Sequence, residues 1–378
     1  MKVTNIPANP LILVLLLMIL FLAQPSEAQI TDEIDTLGHD PYRILPGVQP
    51  NENWIVVDAF GLLRLSEDQE GNWTVGEYPL SYIHDACGPD LSGKIYASFR
   101  NTGQSGVYVF NATSRIIEDT ILVGTDYVVT GLTLSDDESK LYLLGWDWPR
   151  VGGLGSSAES SVHRDSGIVW EIDLATRQVT DQGIVGGWPE TVIYTENDTL
   201  LIYPHEKHYL FDVGPDTTVT KIDIVSTSPN LARITQIQTL RNLGPYFDEF
   251  VRWSDEDPLV AMFASELDIT QLDNYEYQSG IWIINTATNQ VVQTIKVFFE
   301  EGWGESPVYH GTVSSVYPGR AYVTTAVGVQ AIDKATGANI EVWHLPMVYP
   351  MFVHEMPDGR LIVTTGESEK IYIIDPSE

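Results

Sequence analysis

Six side chains have the chemistry of a metal or proton-transfer centre: His84, Asp85, Glu190, Asp248, Glu249 and His310. Histidine combined with carboxylate suits zinc or manganese, whereas carboxylates alone suit calcium. Crowded carboxylates also raise one another's pKa, which general acid/base work exploits. No local motif joins these residues. They span most of the chain, so only a backbone that keeps returning to one place can assemble them. The plain alternative is that each is solvated or bonds to a neighbouring strand. A second set lies in two long segments, GWDWPRVGGLGSSAESSVHRDSG (145–167) and ASELDITQLDNYEYQSG (264–280). They offer Trp146, Trp148, Arg150 and His163, and Tyr275 and Tyr277. Exposed aromatic rings on long loops stack on sugars or anchor protein contacts.

Other chemistry finds little support. Neither a Gly-x-Ser-x-Gly elbow, nor a P-loop, nor a dinucleotide fingerprint occurs in the sequence. His205 and His208 are three apart, so on an extended strand they point to opposite faces. Asp136-Asp137-Glu138 reads as a solvated turn, and His354, inside a strand pattern, as a packed core residue. Cys87 is the single cysteine, which excludes internal disulfides and Cys-based zinc or iron–sulfur sites. It reads as a small core residue.

Fifty-two acidic against 20 basic residues give a net charge of −32. That field repels polyanions, so nucleic acid and anionic lipid are poor partners. With 43% hydrophobic and 10% aromatic residues, the chain has the material for a packed core. Residues 11–22, LILVLLLMILFL, follow Lys2 and precede Ser26-Glu27-Ala28. This pattern predicts a signal peptide over 1–28, cleaved after Ala28. The apolar run is short for a membrane span. The expected product is a secreted, periplasmic or extracellular protein, with the cell surface included. It is expected not to insert in a membrane after cleavage. Residues 29–378 are expected to form one domain and a monomer.

The elements that would position the candidates come from internal repeats. GVYVFNATSRIIEDTILV from Gly106, GIVWEIDLATRQVTDQGIV from Gly167, GIWIINTATNQVVQTIKV from Gly280 and GVQAIDKATGANIEVWHL from Gly328 align. Each reads as strand, tight turn, strand. KHYLFDVGPDTTVTKIDIV from Lys207 and KIYIIDPSE from Lys370 are weaker copies. A second hairpin precedes each, as in VTGLTLSDDESKLYLLG from Val129 and MFVHEMPDGRLIVTTG from Met351. Together they predict four-stranded meanders beginning near Trp54, Tyr82, Val128, Trp188, Asp248, Tyr309 and Pro350. That is an all-β fold, a seven-bladed β-propeller of four-stranded antiparallel blades of about 50 residues each. The last unit stops after three strands, and the stretch around Tyr42-Arg43-Ile44-Leu45 has no partner. The N-terminal strand is therefore expected to complete the last blade, closing the ring. The segment Val225–Phe247 reads as an extended connection.

The segments NTATNQVVQTIKV and LSDDESKLYLLG resemble the YVTN-type propeller repeat of YncE-like and surface-layer-associated proteins. The resemblance covers nearly all of residues 29–378 and implies an exported seven-bladed propeller. Pro189 and Pro350 retain the proline that opens the family's inner strand; other units replace it, and units three and five carry long insertions. Aligning the units places His84/Asp85, Thr130/Gly131, Pro189/Glu190, Asp248/Glu249, His310/Gly311 and Pro350/Met351 at one channel rim, beside both long loops. The expected function is binding of a small molecule, a glycan or an extracytoplasmic protein at that rim, without a catalytic motif. The alternative is a metal-assisted hydrolase, lactonase or lyase that uses the His/carboxylate cluster with calcium, zinc or manganese.

Overall fold

Alternating β-branched and aromatic residues form strands along the whole described chain. The computed structural model describes residues 30–39, 41–57, 59–80, 82–101, 103–125, 127–147, 166–186, 188–195, 198–205, 219–227, 231, 234–241, 249–254, 258–268, 276–297, 308–325, 328–345, 349–366 and 369–377. Strand β1 is Ile30–Asp35. One sheet comprises Pro41–Pro46 (β2), Glu52–Val57 (β3), Gly61–Glu67 (β4) and Trp73–Pro79 (β5). The next has Ala86–Cys87 (β6), Lys94–Asn101 (β7), Gln104–Asn111 (β8) and Ile116–Gly124 (β9). Then come Tyr127–Leu134 (β10), Lys140–Asp147 (β11), Ser166–Asp173 (β12) and Gln178–Gly186 (β13). Trp188–Thr195 (β14), Thr199–His205 (β15), Val219–Ser226 (β16) and Ile234–Arg241 (β17) follow. Glu249–Arg252 (β18), Leu259–Asp268 (β19), Glu276–Asn285 (β20) and Gln290–Lys296 (β21) form another sheet. Val308–Val313 (β22), Arg320–Thr325 (β23), Gly328–Asp333 (β24) and Asn339–His344 (β25) form a further one. Tyr349–Glu355 (β26), Leu361–Gly366 (β27) and Lys370–Ile374 (β28) are completed by β1. All pairings are antiparallel, as in a β-propeller of four-stranded blades.

The core lies between sheets. Trp54, Leu62, Ile95 and Phe110 join the β2–β5 and β6–β9 sheets. Val107, Ile121, Leu141 and Trp170 do the same one sheet on. Ile44, Leu63, Ile362 and Ile373 join the first sheet to the last. Burying each such side chain contributes about 1.5–3 kcal/mol. Both faces of a sheet are covered this way, so β3 is buried at every residue, whereas the outer strand β9 is mostly exposed.

The predicted turn chemistry is present. Asp173 Oδ1 accepts from Thr176 N and Oγ1 (2.7 and 2.8 Å), and Asp333 Oδ1 from Thr336 N and Oγ1 (2.8 and 2.7 Å). Those bonds hold both carboxyls below the usual carboxylate range. The turn's next residue is left-handed, at Arg177 (φ 57°), Asn289 (54°) and Gly337 (72°). Only the last is free of the Cβ penalty.

Three expectations are corrected. The stretch around Tyr42–Leu45 does not complete the last sheet; it lies within β2, first strand of the first sheet, with Ile44 and Leu45 buried. The strand on β28 is β1, whose acidic sequence buries only Ile34 and so suits an outer edge. Within Val225–Phe247 lies a strand, β17, paired with β16; the hairpin expected from Lys207 is thus displaced toward the C-terminus. Finally, β19 and β20 pair as far out as Asp268 with Glu276, and β11 reaches Asp147. The expected loops are therefore shorter, because their alternating ends extend the ladders.

Candidate functional site

The site is built on the first strand of each sheet. Five of these strands carry a β-bulge that leaves one residue unpaired: Tyr42, Thr130, Glu190, Tyr309 and Met351. A bulge bends its strand and re-aims the next side chain. Counted from the turn that ends each strand, one level therefore holds Arg43, Asp85, Gly131, Thr191, Glu249, His310 and Phe352. The level before it holds Tyr42, His84, Thr130, Glu190, Tyr309 and Met351. The sequence alignment had taken the turns that follow as equal in length, whereas they close at Asp90–Lys94, Ser135–Lys140, Thr195–Thr199 and Ser314–Arg320, so it set His310 level with His84, and Glu190 level with Asp85 and Glu249. The structure instead levels His310 with Asp85 and Glu249, and Glu190 with His84.

Asp85 is only 4% exposed and engaged on both oxygens. Oδ1 accepts from Arg43 Nη1 (2.5 Å) and Ala86 N (2.8 Å), and Oδ2 from Leu132 N (3.1 Å) on the next sheet. His310, equally buried, makes the equivalent bond: its Nδ1 accepts from Val353 N (3.2 Å) on its own next sheet. The same level is laced by threonines, with Thr324 Oγ1 donating to Met351 O (3.2 Å) and Thr364 Oγ1 to Tyr42 O (3.4 Å). An Nδ1 that accepts carries no proton, so the His310 proton sits on Nε2. Both groups thus hold neighbouring sheets together, the plain alternative set out above. Among the described residues, no group of three or more His, Cys, Asp or Glu could hold a metal ion.

A cavity of about 180 Å³ opens where four first strands meet. Its wall is Arg43–Leu45 of β2, Val251 of β18, His310–Thr312 of β22 and Phe352–His354 of β26. His354 sits in β26 opposite Ile362, largely buried, and also contributes to the cavity wall. Burial pulls its pKa down to about 4. The Phe352 ring lies 4.5 Å from that of His310 and 5.0 Å from that of Tyr42. Gly311 stands where other sheets carry Ile44, Leu132 or Val353; a Cβ there would overlap the Phe263 ring. Burial, with the Asp85 charge adding, pushes the Cys87 thiol far up, so it is no nucleophile.

His84 is half-buried beside this level, its backbone N–H on Ser98 Oγ (3.3 Å). Trp146 lies in β11, half-buried and paired with Val128 and Gly167, rather than on a loop. Tyr277 is a strand residue of β20 opposite Leu267. Glu190 and Glu249 are placed by their backbones alone. Asp248, Trp148, Arg150, His163 and Tyr275 lie outside the described residues. Sequence reading missed Arg43, Thr312 and Phe352. Arg43 carried a signal, a lone cation inside an apolar strand, but it fell in the segment assigned to the wrong sheet.

No described protein family matches this sequence, and no curated protein does. Solved structures resemble its shape. The Kuenenia stuttgartiensis hydrazine synthase chain superposes with a TM-score of 0.66 at 13% identity, covering 91% of this chain and 97% of its own. The WD40 β-propeller domain of Doa1 gives 0.59 at 13% identity, covering 92% and 97%. The Neurospora crassa Pan2 WD40 domain gives 0.60 at 10% identity, covering 94% and 98%. Identities this low speak for the fold alone, and the fold is a β-propeller.

Proposed function

We propose that this chain is an exported, monomeric binding propeller: a seven-bladed ring closed by β1, with its ligand at the channel mouth. The grouping of 28 strands in fours supports the ring, as does an apolar cluster shared by the first and last sheets. Arg360 adds a two-pronged bond to Glu67 across that seam (2.9 and 2.5 Å). The resemblance to YVTN-type repeats agrees, and cleavage after Ala28 would leave β1 at the mature N-terminus. One observation carries the binding reading: the cavity that Arg43 and His354, from opposite ends of the chain, line together. Small molecules, glycans and extracytoplasmic proteins remain the partner classes, and the two long loops would widen the same rim.

The test is a thermal-shift screen of purified residues 29–378 against cations, glycans and small organic molecules. A raised midpoint with one class supports the reading; no shift with any class, alongside measurable turnover, sinks it. N-terminal sequencing of the secreted protein checks the cleavage. The metal-assisted hydrolase, lactonase or lyase has less to stand on. Asp85 spends its oxygens on three donors and His310 spends Nδ1 on a backbone N–H.

A further inference from the structure

Two turns far from the cavity carry a signal of their own. Asn72-Trp73-Thr74 and Asn111-Ala112-Thr113 are Asn-x-Thr sequons, the acceptor pattern for N-linked sugar. In a third, Asn197-Asp198-Thr199, the asparagine lies outside the described residues. Asn72 ends the turn from β4 to β5, and Asn111 opens the turn from β8 to β9. Both turns join the third and fourth strands of their sheets. In an antiparallel meander such a turn lies at the end away from the start of the first strand. Both sequons therefore sit away from the candidate level and from the β11–β12 and β19–β20 connections.

Turn chemistry alone does not call for the Asn111 sequon. In the related turns Thr176 and Thr336 stand three residues after the aspartate and donate Oγ1 to it (2.8 and 2.7 Å). Asn111 Oδ1 accepts from Thr113 N (2.9 Å) and Ser114 N (2.8 Å), so Ser114 is the residue that matches those threonines. The Thr113 side chain is exposed, and its hydroxyl bonds none of the described residues. Both acceptor amides can keep their contacts once modified. Asn72 is exposed and Asn111 half-buried. Asn72 Nδ2 donates to the Asp68 carboxylate (3.2 and 3.1 Å) and Asn111 Nδ2 to Glu118 Oε1 (2.7 Å). An amide nitrogen carries two hydrogens, so a sugar replaces one and the other still serves the carboxylate. Strands β5 and β9 are also the last of their sheets, each with one edge that no described strand covers. Open edges invite association, and β9 adds exposed Ile116, Ile117 and Leu122.

We propose that Asn72 and Asn111 are N-glycosylation sites, each taking an oligosaccharide from a lipid-linked pyrophosphate donor, and that the two sugars shield the edges of β5 and β9 while leaving the channel mouth open. In the transfer Nδ2 forms a bond to C1 of the sugar. The bond from C1 to the pyrophosphate oxygen breaks, its electron pair leaves on that oxygen, and Nδ2 gives up one proton. The proposal rests on the reading that the chain is exported, because that is how it meets the donor.

The experiment expresses the full chain in cultured mammalian cells, as wild type and as Thr74→Val and Thr113→Ala, which remove the sequons and keep both asparagines. Mass spectrometry maps the peptides that hold Asn72 and Asn111 before and after treatment with peptide-N-glycosidase. Expected is secreted protein with sugar on both asparagines, loss of the Asn72 sugar alone in T74V and of the Asn111 sugar alone in T113A, and a rise in light scattering once the enzyme has removed the sugars. Should a variant not be secreted, the wild-type peptide map gives the same answer. Secreted protein with both asparagines bare overturns the proposal and leaves the export reading standing. Protein kept in the cell with both bare overturns the two together. Sugar on one asparagine only overturns the site that stays bare, and scattering that sugar removal leaves unchanged overturns the shielding role.

Discussion

Asp85 and His310 hold the same position in different sheets and take the same backbone N–H of the following sheet, yet their junctions differ. At the Asp85 junction a carboxylate accepts three donors, one of them a guanidinium, and the residue after Asp85 is Ala86. At the His310 junction the bracket is an imidazole that takes the backbone N–H of Val353, and its neighbour is Gly311. The Phe263 ring fills the place that a side chain at Gly311 would take, and the cavity lies along the same strand. The same sheet is also poorly satisfied. Gln330 is 1% exposed with no hydrogen-bond partner for either side-chain atom among the described residues. In four of the other sheets that position holds an aromatic ring, Tyr108, Trp170, Trp282 or Tyr372. Near-identical sheets can therefore be joined by a charged carboxylate in one place and by an imidazole beside a cavity in another.

The comparison breaks first at Asp85. Asp85→Ala leaves the Arg43 guanidinium and the Leu132 N–H without their carboxylate. It should cost about 3–5 kcal/mol in denaturant unfolding; a loss below about 1 kcal/mol would show that the joint is not charge-held. The next largest effect concerns acid. The His354 pKa is about 4 when folded against 6.5 for the free side chain, so the unfolded chain binds the proton first. Stability should therefore fall by about 2–3 kcal/mol as pH drops from about 6.5 to 4, and His354→Leu should flatten that segment of the profile. An unchanged slope in the variant would reassign the titration. His310→Ala should cost less than the Asp85 change, about 1–3 kcal/mol, because it strands one backbone N–H and no charge. Equal losses in the two variants would erase the distinction between the joints. The smallest effect has the opposite sign: Gln330→Met should raise unfolding free energy by about 1 kcal/mol by removing an unpartnered buried amide. A clear loss would mean that bound water satisfies it.

Much of the architecture could be read from strand periodicity. The Asp/Asn-x-Ala-Thr turns, the paired hairpins and the four-strand unit are local signals, each set by residues within about ten positions of one another. The candidate level was only half legible. Asp85 and His310 were found, but on different rungs, because the turns after their strands differ in length, closing at Asp90–Lys94 and at Ser314–Arg320. Arg43 went unrecognised since nothing in YRIL distinguishes a first strand from a closing one; burial on both faces does.

Sequence by itself determined the strand-rich chain, its turns and its acidity, because these follow from side-chain type and short-range spacing. Tertiary structure alone decided which carboxylate is spent on a neighbouring sheet, which imidazole nitrogen accepts from a neighbouring strand, and where β2, β18, β22 and β26 leave a hollow. Those outcomes depend on contacts between sheets far apart in the chain, where one bulged residue or one missing side chain changes what faces what.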